Sequence, residues 1–196
     1  ELLTFNKSRN IWPRGWGNRT CIMGVINITP DSFSDGGMFL DPQKALNQAI
    51  SFVKQGADVI DIGAQSTRPG AIEVGAEEEL KRLLPALLTI RKYLPHIIIS
   101  VDTFLSDVAE ESLNAGADWI NDISGGRHDQ NIHNIIVNHR CPYVITHSRG
   151  NSQTMNSLSS YDNVVQEVYL ELKRLTKKAL DSGIYKEQII WDPGLG

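Results

Sequence analysis

The sequence is poor in cysteine and has no long apolar run. Its 196 residues include two cysteines, Cys21 and Cys141, which are too few for a disulfide scaffold and lack the spacing of metal ligands. No apolar stretch approaches the ~20 residues that a membrane-spanning helix needs, and the N-terminal stretch lacks the apolar centre of a signal peptide. We therefore expect no membrane partner and a reducing, cytoplasmic location.

A strong charge of one sign is also absent. The formal net charge is −4, and hydrophobic residues make up 41% of the chain. Such a balance provides no broad attraction to nucleic acid, so no nucleic-acid partner is expected. The sequence has no GxGxxG, Walker A or GxSxG motif, which argues against a nucleotide cofactor and against a serine hydrolase.

The sequence does contain a regular alternation of apolar strands and amphipathic helices. This order predicts a parallel α/β fold, and the recurrence of "GADVIDIG" at Gly56 as "GADWINDI" at Gly116 supports it. The predicted strands cover residues 21–27, 58–63, 96–103, 118–124, 142–147 and 189–194, and the predicted helices lie at about 41–56, 76–93, 106–115, 132–138 and 162–182.

Each predicted strand ends on a side chain that can form hydrogen bonds. In a barrel the carboxyl ends of the strands form one ring, whereas an open doubly wound sheet concentrates chemistry at one switch point. We therefore favour a (β/α)8 TIM barrel over an open sheet or a complete six-stranded domain. The polar residues at the strand ends are Asn27, Asp61, Asp102, Asn121 with Asp122, His147 and Asp192.

A barrel of this kind usually has eight strands and about 250 residues. The sequence predicts six strands and five helices, so we expect a truncated barrel without strands seven and eight. Residues 1–20 are predicted to be a lead-in, and residues 21–196 the barrel domain.

Two long loops follow the first two strands. The first, within "MGVINITPDSFSDGG", contains Phe33 and Asp35, and is either a lid over a ligand or an elaborate surface turn. The second, "GAQSTRPGAIEVG", contains Thr67, Arg68 and Pro69. An arginine fork beside hydroxyls suits phosphate oxygens, although a solvated surface arginine is equally compatible with the sequence.

The polar residues at the later strand ends each allow two interpretations. Asp102 is either a helix cap or a functional carboxylate, because a buried charge needs a partner or a role. Carboxylate and amide side chains such as Asp102, Asn121 and Asp192 suit a flat heterocycle with several N–H groups. His147 is either a base or ligand, or a structural histidine, and the structural role is favoured.

The motifs resemble those of the dihydropteroate synthase family of the folate pathway. "MGVINITPDSFSDGG" and "DIGAQSTRPGA" match its two long signatures, and "SVDT", "INDISG" and "WDPGLG" follow in the family's order. The resemblance implies a pterin-binding barrel enzyme, a transferase. It would condense 6-hydroxymethyl-7,8-dihydropterin diphosphate with 4-aminobenzoate, with Mg2+ assisting, and would form a homodimer at full length.

The resemblance also implies a role for each matching position. Asn27 would hold the metal and diphosphate, Thr67 and Arg68 would grip diphosphate oxygens, and Asp35 would belong to a closing loop. Phe33 and Pro69 would wall the aminobenzoate pocket that sulfonamides also occupy. Asp102, Asn121 and Asp192 would read the pterin, and Asp102, Arg68 and Asn27 would carry the catalysis.

Some features depart from the family's pattern. Gln65 stands where many members have Glu, and "ITHSRG" around Thr146 replaces a commoner Met-His-Met. The family's later Lys and Arg-x-His would lie beyond Gly196, so the 196-residue chain alone is expected to be inactive. A corrinoid-linked methyltransferase domain and a non-catalytic pterin-binding module are the competing functions.

Overall fold

The computed structural model describes residues 10–28, 41–65, 73–149 and 160–195. Within these ranges strands and helices alternate as predicted, with boundaries that differ by a few residues. Strands β1 to β6 are Met23–Asn27, Val59–Gly63, Ile98–Asp102, Trp119–Asp122, Tyr143–Thr146 and Ile189–Asp192, and helices α1 to α5 are Pro42–Lys54, Ala76–Tyr93, Ser106–Asn114, Ile132–His139 and Val164–Asp181.

Local sequence signals explain several helix ends. The Asp41 side chain accepts a hydrogen bond from the Gln43 amide, and Pro42 occupies the first position of α1. Gly56 follows the end of α1 with a φ of 98°, a left-handed conformation that costs a glycine little. Asn163 caps α5 by accepting from the Gln166 amide. These caps satisfy backbone donors that a helix leaves unpaired.

The six strands form one parallel sheet in the order β1-β2-β3-β4-β5-β6. Each strand is therefore paired with its neighbours in the sequence, as in an α/β barrel, whereas a doubly wound sheet reverses its order at a switch point. The structure thus confirms the predicted barrel-type α/β architecture with six strands and five helices.

The two faces of the sheet pack against different partners. On the outer face, residues such as Ile60, Ile62 and Ile99 contact apolar side chains of the helices, including Leu83 and Ile90. The inner face has a smaller apolar layer formed by Met23, Val59, Ile98, Trp119, Val144 and Ile190. The helices therefore cover the outside of the sheet, and the inner face is left to form the interior of the barrel.

The amino end of this interior is covered by tryptophans. The ring centroids of Trp12 and Trp16 lie 5.5 Å from that of Trp119, and the Trp119 indole N–H donates to the Ile11 carbonyl at 2.7 Å. Part of the predicted lead-in thus packs on the barrel, while the boundary at residue 20 stays a prediction. No helix within the described ranges is both long and apolar enough to cross a membrane.

Candidate functional site

Polar residues occupy the inner face towards the carboxyl ends of the strands. Side chains alternate between the two faces of a strand, so the residues two and four positions after the inner apolar layer face inward as well. The parallel register keeps this alternation aligned from strand to strand. The polar residues on this face are Asn27, Asp61, Ser100, Asp102, Asn121, Thr146 and Asp192.

Asp61 and Asn121 are joined directly across this face. The Asn121 side-chain nitrogen donates to Oδ2 of Asp61 at 3.2 Å. Asp61 is 2% exposed, and burial raises the pKa of its carboxyl, a rise that the hydrogen bond from Asn121 opposes. The negative charge of Asp192 also raises the pKa of Asp61, and the strand register places Asp192 on the same inner face.

Asp102, at the end of β3, has the most strongly perturbed environment on this face. Burial raises the pKa of its carboxyl well above its usual range, and repulsion from Asp61, Glu79 and Asp122 raises it further. Such a concentration of carboxylates is unfavourable by itself, and it becomes favourable when N–H donors or positive charge enter.

Gly63 makes room for the Asp102 side chain. The two residues are partners in the register of β2 and β3. A Cβ atom at position 63 would lie 3.1 Å from the Asp102 Cβ and 3.3 Å from its Oδ2. The absence of a side chain at Gly63 therefore lets the carboxylate lie across the neighbouring strand.

Asp192 and Asn27 occupy the carboxyl ends of the two outermost strands of the sheet. Asp192 accepts from the Gly194 amide at 2.8 Å through its carboxylate, and from the His147 amide at 2.8 Å through its carbonyl. The Pro-Gly turn is thereby fixed beside the strand end. Asn27 is exposed and lies in register with Gly63.

Two polar residues near the strand ends face outward. Asp122 is fully buried and accepts from the Tyr143 hydroxyl and from the Ser124 and Gly126 amides, each at 2.7 Å. Nε2 of His147 lies 2.9 Å from Oε2 of Glu171 on α5. Both residues support the fold, so a structural role for His147 is favoured over that of a base in the site.

Gln65 links the residues on either side of the second loop. Its side-chain oxygen accepts from the Val74 amide at 3.1 Å, and its nitrogen donates to the Val74 carbonyl at 2.7 Å. The same nitrogen donates to Glu79 at 2.7 Å, a residue of α2 that is fully buried. Burial raises the pKa of the Glu79 carboxyl, and the hydrogen bond from Gln65 partly opposes that rise.

The structure thus brings Asp102, Asn121 and Asp192 to one face and places Asn27 at the same edge. Their roles stay predictions. Phe33, Asp35, Thr67, Arg68 and Pro69 lie outside the described residues.

The described residues include no group of three or more His, Cys, Asp or Glu side chains placed to hold a metal ion. The amide oxygen of Asn27 suits Mg2+, which usually takes one or two protein ligands together with water and substrate phosphates. Asn27 therefore fits a site in which a diphosphate and water supply most of the ligands.

Four further residues on this face had no predicted role in the site: Asp61, Gly63, Ser100 and Thr146. Thr146 is buried, and its hydroxyl has no partner among the described residues. The sequence feature that could have identified them is the alternation of side chains between the two faces of a strand. Once the register is known, this alternation places Asp61 and Gly63 on the same face as Asp102. The repeat also aligns Asp61 with Asn121.

Comparison with known proteins agrees with this geometry. Residues 23–196 match the Pterin binding enzyme family. The dihydropteroate synthase of Synechocystis sp. is 45% identical over 181 residues, which cover 92% of this chain and 62% of that protein.

Solved structures give the same result. The dihydropteroate synthase of Xanthomonas albilineans with 4-aminobenzoic acid has a TM-score of 0.81 and 37% identity, covering 91% of this chain and 63% of that one. The enzyme of Clostridium difficile in the presence of pteroic acid has a TM-score of 0.82 and 40% identity, covering 92% and 66% respectively.

A polar inner face at the carboxyl ends of parallel strands paired in sequence order defines the class, an α/β barrel of the (β/α)8 type. The chain belongs to the pterin binding enzyme family. It spans about three fifths of the length of the bacterial dihydropteroate synthase that it matches at 62% coverage.

Proposed function

We propose that the protein to which this chain belongs is a dihydropteroate synthase. It would condense 6-hydroxymethyl-7,8-dihydropterin diphosphate with 4-aminobenzoate to give 7,8-dihydropteroate and diphosphate. The observation that carries the proposal is the convergence of Asp102, Asn121 and Asp192 on one inner face in a chain of the pterin binding enzyme family. The names and ligands of the related proteins support it.

The inner face suits a pterin because it is rich in hydrogen-bond acceptors. A pterin presents an amino group and ring N–H groups, and carboxylates accept hydrogen bonds from such donors. Burial raises the pKa of the Asp102 carboxyl, and repulsion from Asp61, Glu79 and Asp122 adds to that rise. A bound pterin would supply those donors and relieve the repulsion between the carboxylates.

The same carboxylates would stabilise the reacting carbon. When the diphosphate leaves, its bonding electrons go with it, and the methylene carbon becomes cationic with its charge delocalised into the pterin ring. Asp102, near enough to Asp61 to be repelled by its negative charge, would favour positive charge in that ring. The aniline nitrogen of 4-aminobenzoate then attacks the methylene carbon and loses a proton.

The leaving diphosphate needs positive charge of its own. We assign this role to Arg68 with Thr67, and assign Asn27 to the metal site. Mg2+, when bound, supplies neutralisation of the charge that develops on the diphosphate. Asp35 belongs to the loop that would exclude water, and Phe33 and Pro69 would wall the aminobenzoate pocket; these assignments rest on the family motifs.

The test is an assay of the full-length protein for diphosphate release and pteroate formation. We expect both products in equal amounts, with dependence on Mg2+ and on 4-aminobenzoate. Methyl transfer from methyltetrahydrofolate without diphosphate release would instead indicate the corrinoid-linked activity. Pterin binding without turnover in the full-length protein would indicate a non-catalytic module.

Arg68→Lys tests the diphosphate role. A lysine keeps the charge but cannot form two parallel hydrogen bonds, so we expect weaker binding of the diphosphate substrate. Steady-state kinetics of the full-length enzyme measure the effect, and binding of the pterin without its diphosphate is the control. Unchanged kinetics would remove Arg68 from the site.

We also propose a cytoplasmic homodimer. Cys21 and Cys141 are free thiols, as in proteins of a reducing compartment. Analytical ultracentrifugation of the full-length protein tests the dimer, and a monomer at micromolar concentration would exclude it.

A further inference from the structure

The side-chain amide of Asn121 has a hydrogen-bond partner for its nitrogen, and none among the described residues for its oxygen. Its nitrogen donates to Oδ2 of Asp61 at 3.2 Å. Its oxygen is buried and has no hydrogen-bond partner among the described residues. A buried carbonyl oxygen without a donor costs free energy, so an unpaired oxygen on this face indicates a ligand that supplies one.

The carboxylate of Asp61 determines the orientation of this amide. Rotating it by 180° would place its oxygen against the Asp61 carboxylate, and two acceptors in contact repel each other. Asp61 cannot turn away into solvent, because it is 2% exposed and lies in register with the buried Ser100. An ionised Asp61 therefore keeps the nitrogen of Asn121 towards itself and the amide oxygen turned away from its own carboxylate.

We propose that Asp61 is a positioning residue that fixes Asn121 as a hydrogen-bond acceptor for an N–H group of the bound pterin. The identity of the ligand as a pterin rests on the proposed function, whereas the orientation of the amide does not. Asp61 acts here through Asn121 and does not itself contact the reacting atoms.

This arrangement has a consequence for specificity. An unconstrained asparagine can present either its NH2 or its oxygen, so it tolerates a donor or an acceptor on the ligand. With Asp61 in place, a heterocycle that presents a ring nitrogen acceptor to Asn121 meets an oxygen and is rejected. A site that demands a hydrogen bond discriminates more strongly than an apolar pocket does.

The first experiment examines the amide without a ligand. The side-chain NH2 resonances of Asn121 are recorded in the 15N-labelled full-length protein and assigned by their loss in Asn121→Ala. We expect Asp61→Leu to shift these resonances and to speed their exchange with water, because the carboxylate acceptor is gone. Unchanged resonances would overturn the proposal.

The second experiment asks whether Asp61 acts through Asn121. Calorimetry with 6-hydroxymethyl-7,8-dihydropterin measures affinity in the wild type, in Asp61→Leu, in Asn121→Ala and in the double variant. We expect Asp61→Leu to weaken binding by about tenfold, the loss of roughly one well-placed hydrogen bond. In the Asn121→Ala background the same change should have no further effect, and additive losses would overturn the proposal.

Two further variants serve as controls. Asp61→Asn keeps an oxygen that accepts from Asn121, so it should restore most of the affinity lost in Asp61→Leu. Asp181→Asn makes the same chemical change at an exposed carboxylate on α5 and should leave pterin affinity unchanged. Thermal unfolding checks the fold of each variant, and Asp61→Ala replaces Asp61→Leu if the latter does not fold.

These experiments separate the inference from the function on which it rests. If the wild type binds no pterin, the proposed function fails, and the resonances of Asn121 still decide the orientation of its amide. If the wild type binds pterin and Asp61→Leu binds it equally well, the positioning role fails and the function stands.

Discussion

The aspartates at the two ends of the sheet have opposite electrostatic environments. At the amino end, Asp118 forms a buried ion pair with Arg91 at 2.7 Å and accepts from the Ile99 amide at 2.9 Å. Asp58, its counterpart in the repeat, accepts from Arg19 and from the Ile22 amide, both at 3.0 Å. At the carboxyl end, burial raises the pKa of Asp61 and of Asp102, and repulsion from neighbouring carboxylates adds to both rises.

This difference separates stability from function. Paired charges at the amino end hold successive strands together, since each aspartate joins an arginine to the preceding strand's backbone. Crowded carboxylates at the other end are unfavourable until a ligand arrives, which is the usual cost of a binding site. Substitutions at the two ends should therefore have different effects.

The largest effect is expected at the amino end. Asp118→Ala removes one partner of an ion pair whose side chains are 2% and 1% exposed, and so takes the paired carboxylate from a buried arginine. The free energy of unfolding should fall by about 3–5 kcal/mol. Urea unfolding measures this, and Asp118→Asn, which still accepts from the Ile99 amide, should lose less. A loss below 1 kcal/mol, on the order of an exposed pair, would contradict the role.

Asp102→Asn should have opposite effects on activity and stability. Turnover should fall by about a hundredfold or more, because a preorganised charge is lost. Asp102 has a higher pKa in the folded chain than in the unfolded chain. At a pH between these two values the folded chain therefore binds more protons than the unfolded chain. The free energy of unfolding therefore falls as the pH rises through that window.

Asparagine has no carboxyl to ionise, so Asp102→Asn does not lose free energy of unfolding as the pH rises. The ligand-free variant should therefore unfold at a higher temperature than the wild type at neutral pH. The two thermal midpoints should converge in acid, below the ordinary pKa of aspartate. Scanning calorimetry across pH measures the difference. A variant that is both less stable at neutral pH and within twofold of wild-type turnover would remove Asp102 from the site.

Gly63→Ala should have a moderate effect on the ligand and little on the fold. The added methyl group would lie 3.1 Å from the Asp102 Cβ, so the carboxylate must shift by a few tenths of an ångström. We expect pterin affinity to fall by about three- to tenfold, because misplacing a reacting or binding group weakens its interactions. Calorimetry tests this, and unchanged affinity would show that Asp102 has room to adjust.

The smallest effect is expected for Asp58→Asn. Its partner Arg19 is 45% exposed, and an exposed ion pair contributes little to stability because water screens its charges. The asparagine still accepts from the Ile22 amide, so turnover should equal that of the wild type. Comparing this variant with Asp118→Ala measures how burial changes the contribution of the "GAD" aspartate to the free energy of unfolding. Equal losses in the two variants would show that burial makes no difference.

Much of the fold was predictable because its signals are local. Asp41, Pro42 and Gly56 define the limits of α1, and the helical spacing of Leu46, Ala49 and Ile50 indicates which side is buried. The site was predictable in part: polar residues at strand ends identified Asp102, Asn121 and Asp192. The positions of Phe33, Asp35, Thr67, Arg68 and Pro69 are not described, so their roles stay predictions.

The limits of prediction are clearest in the acidic residues. Three consecutive glutamates lie in the first turn of α2, and the third, Glu79, is fully buried and hydrogen-bonded to Gln65. Asp122 and Asn121 are adjacent in the sequence, and the strand sends them to opposite faces. No local signal distinguishes the one that binds Tyr143 from the one that faces the ligand.

The sequence by itself determined the alternation of strands and helices, the caps, and the polar residue that ends each strand, because these depend on neighbours a few positions away. The repeated "GAD" motif likewise placed an aspartate before β2 and before β4. Only the tertiary structure decided that Arg91 neutralises Asp118 while Asp61 meets Asn121 sixty residues away. Pairing between distant strands brings these side chains together, and burial then decides whether each charge is compensated or left for a ligand.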